Sequence, residues 1–479
     1  MLFDSLGFAV FFPVVFAVYW SLSTRSYRAQ NVLLLMASYF FYACWDERFL
    51  LLLIFSTLLD HTSGLLIHRT QAPAAKRRWL YLSVGVNLGF LGVFKYYDFF
   101  AKEFAHLAER VGLGVDPVLL GLVLPVGISF YTFHGLSYVF DVYRGRIEPV
   151  RDVVDYGLFV SFFPLLVAGP IERATHLLPQ IRAPRTFRYE RAVDGLRQCL
   201  WGFFKKLVIA DNCAPLVEGI FADPAAQSGS TLLLGAVLFA IQIYGDFSGY
   251  SDIALGTARL LGFELLRNFA FPYFSRDIAE FWRRWHISLS SWFRDYLYIP
   301  LGGSRGGIWM KVRNIFIIFL VSGLWHGANW TFLVWGGLNA LYFLPSLLRG
   351  KNRVHLDTVA QGRPVPDLLE AGQMLATFTL TCFAWIFFRS DDIPNALVHV
   401  RGIFTASLFS WPEVPKVTPL ALAGLFMLVE WFGREQRFAL ERMALSWPRW
   451  CRWSFYLVIV FAIGFFMYPG EIPFIYFQF

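Results

Sequence analysis

The chain has 479 residues, of which 57% are hydrophobic, 19% aromatic and only 16% charged, and its mean hydropathy is +0.51. So little charge cannot cover a soluble surface of this length, which excludes an ordinary soluble enzyme. The formal charge is +8, yet the basic residues fall in short loops between apolar runs, so they report membrane topology and not a nucleic-acid partner.

Apolar stretches of about 18 residues or more recur along the whole length, the pattern of a polytopic helical membrane protein. The first run, 8–20, lacks a basic segment before it and a small-residue cleavage site after it, so it reads as a retained span. Basic connections at 21–30 and 69–78 are placed inside, which sets the N-terminus outside and gives spans near 8–20, 31–45, 49–68 and 79–97. The mixed segment 98–116 is then external, and a span near 117–140 returns the chain to the basic YRGRIEPVR. The run 153–170 has cytoplasmic flanks on both sides and is too short to cross twice, so it reads as re-entrant, a form tolerated only when buried in protein. At 199–221, Lys205 and Lys206 interrupt another apolar segment. The run 231–265 is broken by YGDFSGYSD, which carries Asp246 and Asp252.

Residues 267–313 are rich in arginine and belong at the cytoplasmic face. Asn314 to Leu348 spans about 35 residues, or about 52 Å as one helix, well beyond a hydrocarbon core of about 30 Å. It therefore reads as a hairpin with its break near Gly327 to Asn329. Further spans are expected near 371–388, 396–410, 417–432 and 453–468, with the tail YPGEIPFIYFQF external. The expectation is an all-α polytopic membrane protein, one domain over 1–479, of about 11 transmembrane helices plus re-entrant and interfacial amphipathic helices. The five cysteines, Cys44, Cys199, Cys213, Cys382 and Cys451, are scattered without CxxC spacing, so neither a disulfide framework nor a metal site is expected.

The segment IAEFWRRWHISLSSWFRDYLYIPLGGSRGG, 278–307, is the most informative. Ile278, Trp282, Trp285, Leu289, Trp292, Phe293 and Tyr296 recur at three- and four-residue intervals, which predicts one amphipathic helix along the cytoplasmic interface. Arg283, Arg284 and Arg294 lie on its other face, where they could anchor anionic headgroups or meet a charged substrate. His286 falls on the apolar edge, either packed against a carbonyl or aimed into a site. In GGSRGG, backbone N–H groups and Arg305 could cradle the phosphates of a nucleotide-like donor, or the segment is a flexible turn.

His326 sits in SGLWHGANW, about 13 residues beyond Arg313 and so about 20 Å into the membrane. An ionisable residue at that depth faces the protein interior or a water-filled cavity and is a functional candidate by default. Two readings stand: a neutral imidazole in a small-residue packing motif, or a base acting near neutral pH. Asp246 and Asp252 are about 240° out of phase on one helix, so they share a face only if Gly245 and Gly249 break it. They read as partners for a histidine, as relay carboxylates of a transporter, or as caps at a break, and Asn329 joins them as a supporting candidate. The chain has no HxxxxD, GxSxG, HExxH or Walker A motif, so serine-hydrolase and metalloprotease chemistry lose support.

Five motifs in order, FFPLLVAGPIER, YGDFSGYSDIALG, FWRRWHISLSSWFRDYLYIPLGG, SGLWHGANWTFLVWG and the terminal FIYFQF, resemble the membrane-bound O-acyltransferase (MBOAT) family. The resemblance covers nearly the whole chain and is strongest to its bacterial branch, typified by the integral membrane subunit of alginate O-acetylation. It implies a single helical domain with funnels from both faces meeting near a histidine: His326 as the catalytic residue and His286 as the second family position. It further implies a multi-pass protein of the bacterial inner membrane with no bound cofactor, to which the loop charges add both termini outside. The donor would be a cytoplasmic acyl thioester, acetyl-CoA, docked on Arg305, Arg283 and Arg284. The acceptor would be an extracytoplasmic SGNH-type acetyltransferase that esterifies a polysaccharide such as an alginate-like exopolysaccharide, cellulose or peptidoglycan. The rival readings are a proton-coupled transporter or flippase, and a D-alanyl, lipid or protein acyltransferase of the same family.

Overall fold

A computed structural model describes residues 1–22, 26–167, 169–470 and 472–475, and among these the chain is helical with no β-strand. It divides into two compact units, Met1–Ala192 with Ala258–Leu266, and Val193–Thr257 with Arg267–Phe479.

The helices of the first unit are α1 (Leu6–Ser21), α2 (Tyr27–Ala43), α3 (Glu47–Arg69), α4 (Pro73–Leu91), α5 (Tyr97–Arg110), α6 (Ile128–Tyr143), α7 (Val153–Ser161), α8 (Phe163–Leu166) and α9 (Ala174–Ile181). Helices in an apolar medium pack through small residues and shared hydrogen bonds. Here Asp60 of α3 accepts from Ser83 and Asn87 of α4 at 2.6 and 2.8 Å, and a Cβ on Gly135 of α6 would fall on its carboxylate. The expected span 117–140 is corrected: regular structure begins only at Ile128. Pro117 and Pro125 withhold backbone donors, and Gly127, at φ +74°, leaves no room for a Cβ against the Leu166 carbonyl. The stretch expected to be re-entrant forms two short helices, α7 and α8, separated by a turn at Phe162, with every residue from 155 to 167 buried.

The second unit holds most of α10 (Tyr189–Phe203), then α11 (Asp211–Ala222), α12 (Gly229–Leu260) up to Thr257, α13 (Ile278–Arg284), α14 (Ile287–Phe293), α15 (Ile308–His326), α16 (Trp330–Leu348), α17 (Leu368–Arg389), α18 (Ile393–Ile403), α19 (Thr418–Gly433) and α20 (Arg449–Phe466). Helices α3, α12, α15, α16, α17 and α20 are long and apolar enough to cross a membrane, and α1 and α19 are apolar but shorter. The expected span 396–410 is α18, whose 11 residues cover only about 16 Å. Helix α12 runs unbroken through YGDFSGYSD. Its glycines serve close approach instead, a Cβ on Gly249 meeting the Gly202 carbonyl at 2.9 Å.

Asn314 to Leu348 is the expected hairpin. Helix α15 ends at His326, Gly327 and Ala328 turn the chain, and Asn329 caps α16 by accepting from the Thr331 amide at 3.1 Å. The arms touch backbone to backbone because a Cβ on Gly323 would lie 2.3 Å from the Phe332 carbonyl oxygen, and one on Gly336 would lie 2.4 Å from that of Phe319. Replacing Gly323 by Val is therefore expected to destabilise the hairpin by about 1–3 kcal/mol. Gly337→Ala, where the added methyl meets nothing within 4 Å, is expected to be neutral. Thermal unfolding of both variants in detergent checks this.

Candidate active site

The 278–307 segment is not one amphipathic helix. It breaks at Trp285–His286, where His286 adopts the left-handed conformation at φ 43° and ψ 54°. Such a backbone in a residue other than glycine persists only where its surroundings hold it, and it is a recurrent mark of functional sites. Asn268 holds it here: its main-chain carbonyl accepts from the Ile287 amide at 2.9 Å, and its side-chain oxygen accepts from His286 Nδ1 and from the Ser288 hydroxyl, each at 2.9 Å. The face predicted to be apolar is buried apart from half-buried Trp282, so the segment is packed inside its unit.

Both histidines are almost fully buried, His286 at 1% and His326 at 5% exposure. They meet the same indole, with the Trp325 ring 6.1 Å from that of His286 and 5.0 Å from that of His326. Phe247 of α12 lies edge-on to His286 at 4.7 Å. His326 is bounded by Trp335 at 5.1 Å and Phe388 at 5.2 Å. The wall continues from Trp335 to Trp385 to Trp285, the residue before His286.

The arginines proposed for the donor divide into two kinds. Arg283 donates to the carbonyls of Asn352 and His355 at 2.6 and 2.7 Å, and Arg284 donates to the Ala270 and Asp357 carbonyls and to Glu280. Both fasten the 350–357 loop. Arg276 adds an ion pair to Asp357 at 2.8 Å, and its guanidinium holds that carboxyl below the usual carboxylate range. Arg305 is exposed in the turn after Gly302 and Gly303, both at positive φ, which Asn314 ties down through the Leu301 and Gly303 carbonyls. Of these three, Arg305 alone is exposed.

Asp246 and Asp252 face lysines. Asp246 pairs with Lys206 at 3.0 Å and accepts from the Ile475 amide at 2.7 Å, while Asp252 pairs with Lys205 at 2.5 Å and accepts from Gln198 at 2.7 Å. The lysines are neighbours on a π-helical turn, Phe204–Ala210, a form that clusters at functional sites. Lys206 also pairs with Asp211 at 2.7 Å. Of the terminal FIYFQF, Phe474 and Ile475 are buried, with Phe474 against Phe247 and Tyr250, and residues 476–479 lie outside the described residues. Asn329 caps α16 and donates to the Asp391 carbonyl at 2.7 Å. Sequence reasoning singles out neither Asn268 nor Glu430, a carboxylate buried on α19 that accepts from Trp201 Nε1 and the Tyr244 hydroxyl. Glu430 leaves a signal, a lone acid in an apolar span. Asn268 leaves none.

These features define a multi-pass helical membrane protein with two imidazoles sharing one aromatic partner at the end of a membrane-length helix. The sequence profile of MBOAT, the membrane-bound O-acyltransferase family, matches residues 146–363. The chain is 38% identical over 443 residues to the Probable alginate O-acetylase AlgI of Pseudomonas aeruginosa, covering 91% of this chain and 82% of that protein. It is 36% identical to the Peptidoglycan O-acetyltransferase of Helicobacter pylori (82% and 77% covered) and 27% identical to the Teichoic acid D-alanyltransferase of Streptococcus thermophilus (60% and 75% covered). The chain belongs to the membrane-bound O-acyltransferase family and is an enzyme of the O-acyltransferase class.

Removing the cation shared by two buried carboxylates leaves them uncompensated, a change worth about 3–5 kcal/mol. Lys206→Met is accordingly expected to lower the unfolding temperature sharply and to deplete the monodisperse peak in size-exclusion chromatography. Lys205→Met, which strands one carboxylate, is expected to do so less.

Proposed function

We propose that the protein passes an acetyl group from a cytoplasmic thioester, acetyl-CoA, through the membrane to an extracytoplasmic acceptor for O-acetylation of a polysaccharide. The observation that carries this reading is the pair His286 and His326 packed on one indole, Trp325, where α15 ends. His326 acts as the general base on the acceptor hydroxyl, and the hydroxyl oxygen attacks the thioester carbonyl. The tetrahedral adduct then expels the CoA thiolate, which takes up a proton, and the ester forms. Proton transfer of this kind contributes typically about 10²–10⁴-fold. His286 lines the same site. Arg305, exposed in its glycine turn, meets the donor phosphates as a point of positive charge.

The polysaccharide acceptor is supported by the two relatives named as O-acetylases of alginate and peptidoglycan. An SGNH-type transferase outside the membrane would complete the transfer, the chain residing in the bacterial inner membrane with both termini outside. Asp246 and Asp252 are each neutralised by a lysine, which favours acyl transfer over a proton-coupled transporter that would need them to titrate.

The test is His326→Ala with membrane insertion verified. Mass spectrometry of envelope and secreted polysaccharides is expected to show O-acetylation reduced by about 10²-fold or more, and full O-acetylation would overturn the assignment. Arg305→Ala is expected to raise the half-saturating acetyl-CoA concentration with the maximal rate retained. A loss that excess acetyl-CoA does not restore would contradict the phosphate role.

A further inference from the structure

Asn268 bonds to both sides of the break at His286. It lies in the second unit between α12 and α13, fully buried at 1% exposure. Its main chain accepts from the Ile287 amide, and two residues on, the Ala270 amide donates to the Arg284 carbonyl at 2.9 Å, so a short main-chain pairing brackets the break at His286. Its side chain joins that break to α12, because Nδ2 donates to the Ser251 hydroxyl at 3.2 Å while Oδ1 faces His286 and Ser288.

The orientation of this amide is fixed by chemistry. The Ser288 main-chain N–H, a donor that cannot accept, points at the same side-chain atom at 3.4 Å, so that atom is the oxygen. An amide oxygen only accepts. The His286 ring nitrogen opposite it, Nδ1, therefore carries the proton, and Nε2 is the nitrogen that keeps its lone pair. In a neutral imidazole the partner of one nitrogen decides the chemistry of the other.

We propose that Asn268 is a positioning residue for the acyl-transfer reaction: it holds His286 in the left-handed conformation and in the Nδ1–H tautomer, so that Nε2 is presented as the accepting nitrogen. The inference rests on the reading of His286 as part of the acyl-transfer site. An amide suits this task where a carboxylate would not. A carboxylate would fix the same tautomer but would also favour the imidazolium, which has no lone pair to offer.

The test is nitrogen NMR of the full-length protein, ¹⁵N-labelled in histidine, in lipid nanodiscs, with the His286 signals identified by their loss in His286→Gln. The wild type is expected to show a protonated Nδ1 and an unprotonated Nε2. In Asn268→Leu the two tautomers are expected to mix, with the Nε2–H form reaching about half of the population. In Asn268→Asp the Nδ1–H form is expected to persist, with the titration midpoint of His286 raised by about 1 pH unit or more. A single Nδ1–H tautomer in Asn268→Leu overturns the proposal. Should the Leu variant not fold, an unchanged midpoint in Asn268→Asp overturns it instead. Acyl transfer from acetyl-CoA by His286→Gln is measured separately, and full activity there overturns the reading of His286 while leaving the tautomer result to judge Asn268.

Discussion

A polar group in the interior of a membrane protein has no water to fall back on, so each one must find its partner within the chain. That constraint organises the second unit. Two adjacent lysines on a π-helical turn neutralise the two carboxylates of α12, and Glu430 is enclosed by an indole N–H and a phenol. The break at His286 lies inside its unit and the turn after Gly327 at its edge, and both are closed by an asparagine. Asn268 holds the first and Asn329 the second. Without Asn268 the main-chain donors released at the buried break would be stranded at a cost of several kcal/mol each.

The chemistry follows from where the breaks fall. A continuous helix through 278–296 would carry His286 on a regular spiral, and a continuous helix through 314–348 would not fold α16 back against α15. The interruption at Trp285–His286 instead places His286 6.1 Å from the Trp325 ring, beside which His326 closes α15. The glycines around His326 belong to the same arrangement. Gly323 and Gly336 bring α15 and α16 close enough for Trp335 to reach the His326 ring. The small-residue packing and the setting of His326 are thus two aspects of one hairpin.

Much of this is legible in the chain. The excess length of 314–348 over a bilayer predicts the hairpin, and Gly327 to Asn329 marks its turn. Other features depend on tertiary partners that spacing cannot name. The three- and four-residue period of 278–296 finds the buried side chains but is blind to the break, because Asn268 lies 18 residues from His286 and reaches it only through the fold. The same period assigns Arg283 and Arg284 to an open polar face, whereas the carbonyls of 352–357 fold against them. The late start of α6 is written in Pro117, Pro125 and Gly127, which a hydropathy window averages away.

On the proposed function, an acyl group crosses the membrane while its carrier does not. Inside-out membrane vesicles from cells that supply the extracytoplasmic acceptor, given acetyl-CoA labelled with ¹⁴C in the acetyl group and ³H in the CoA, test it directly. The expected result is ¹⁴C covalently bound to lumenal acceptor, with ³H remaining outside as free CoA. Entry of both labels together, or lumenal ¹⁴C recovered as free solute in proportion to a proton gradient, would contradict the account.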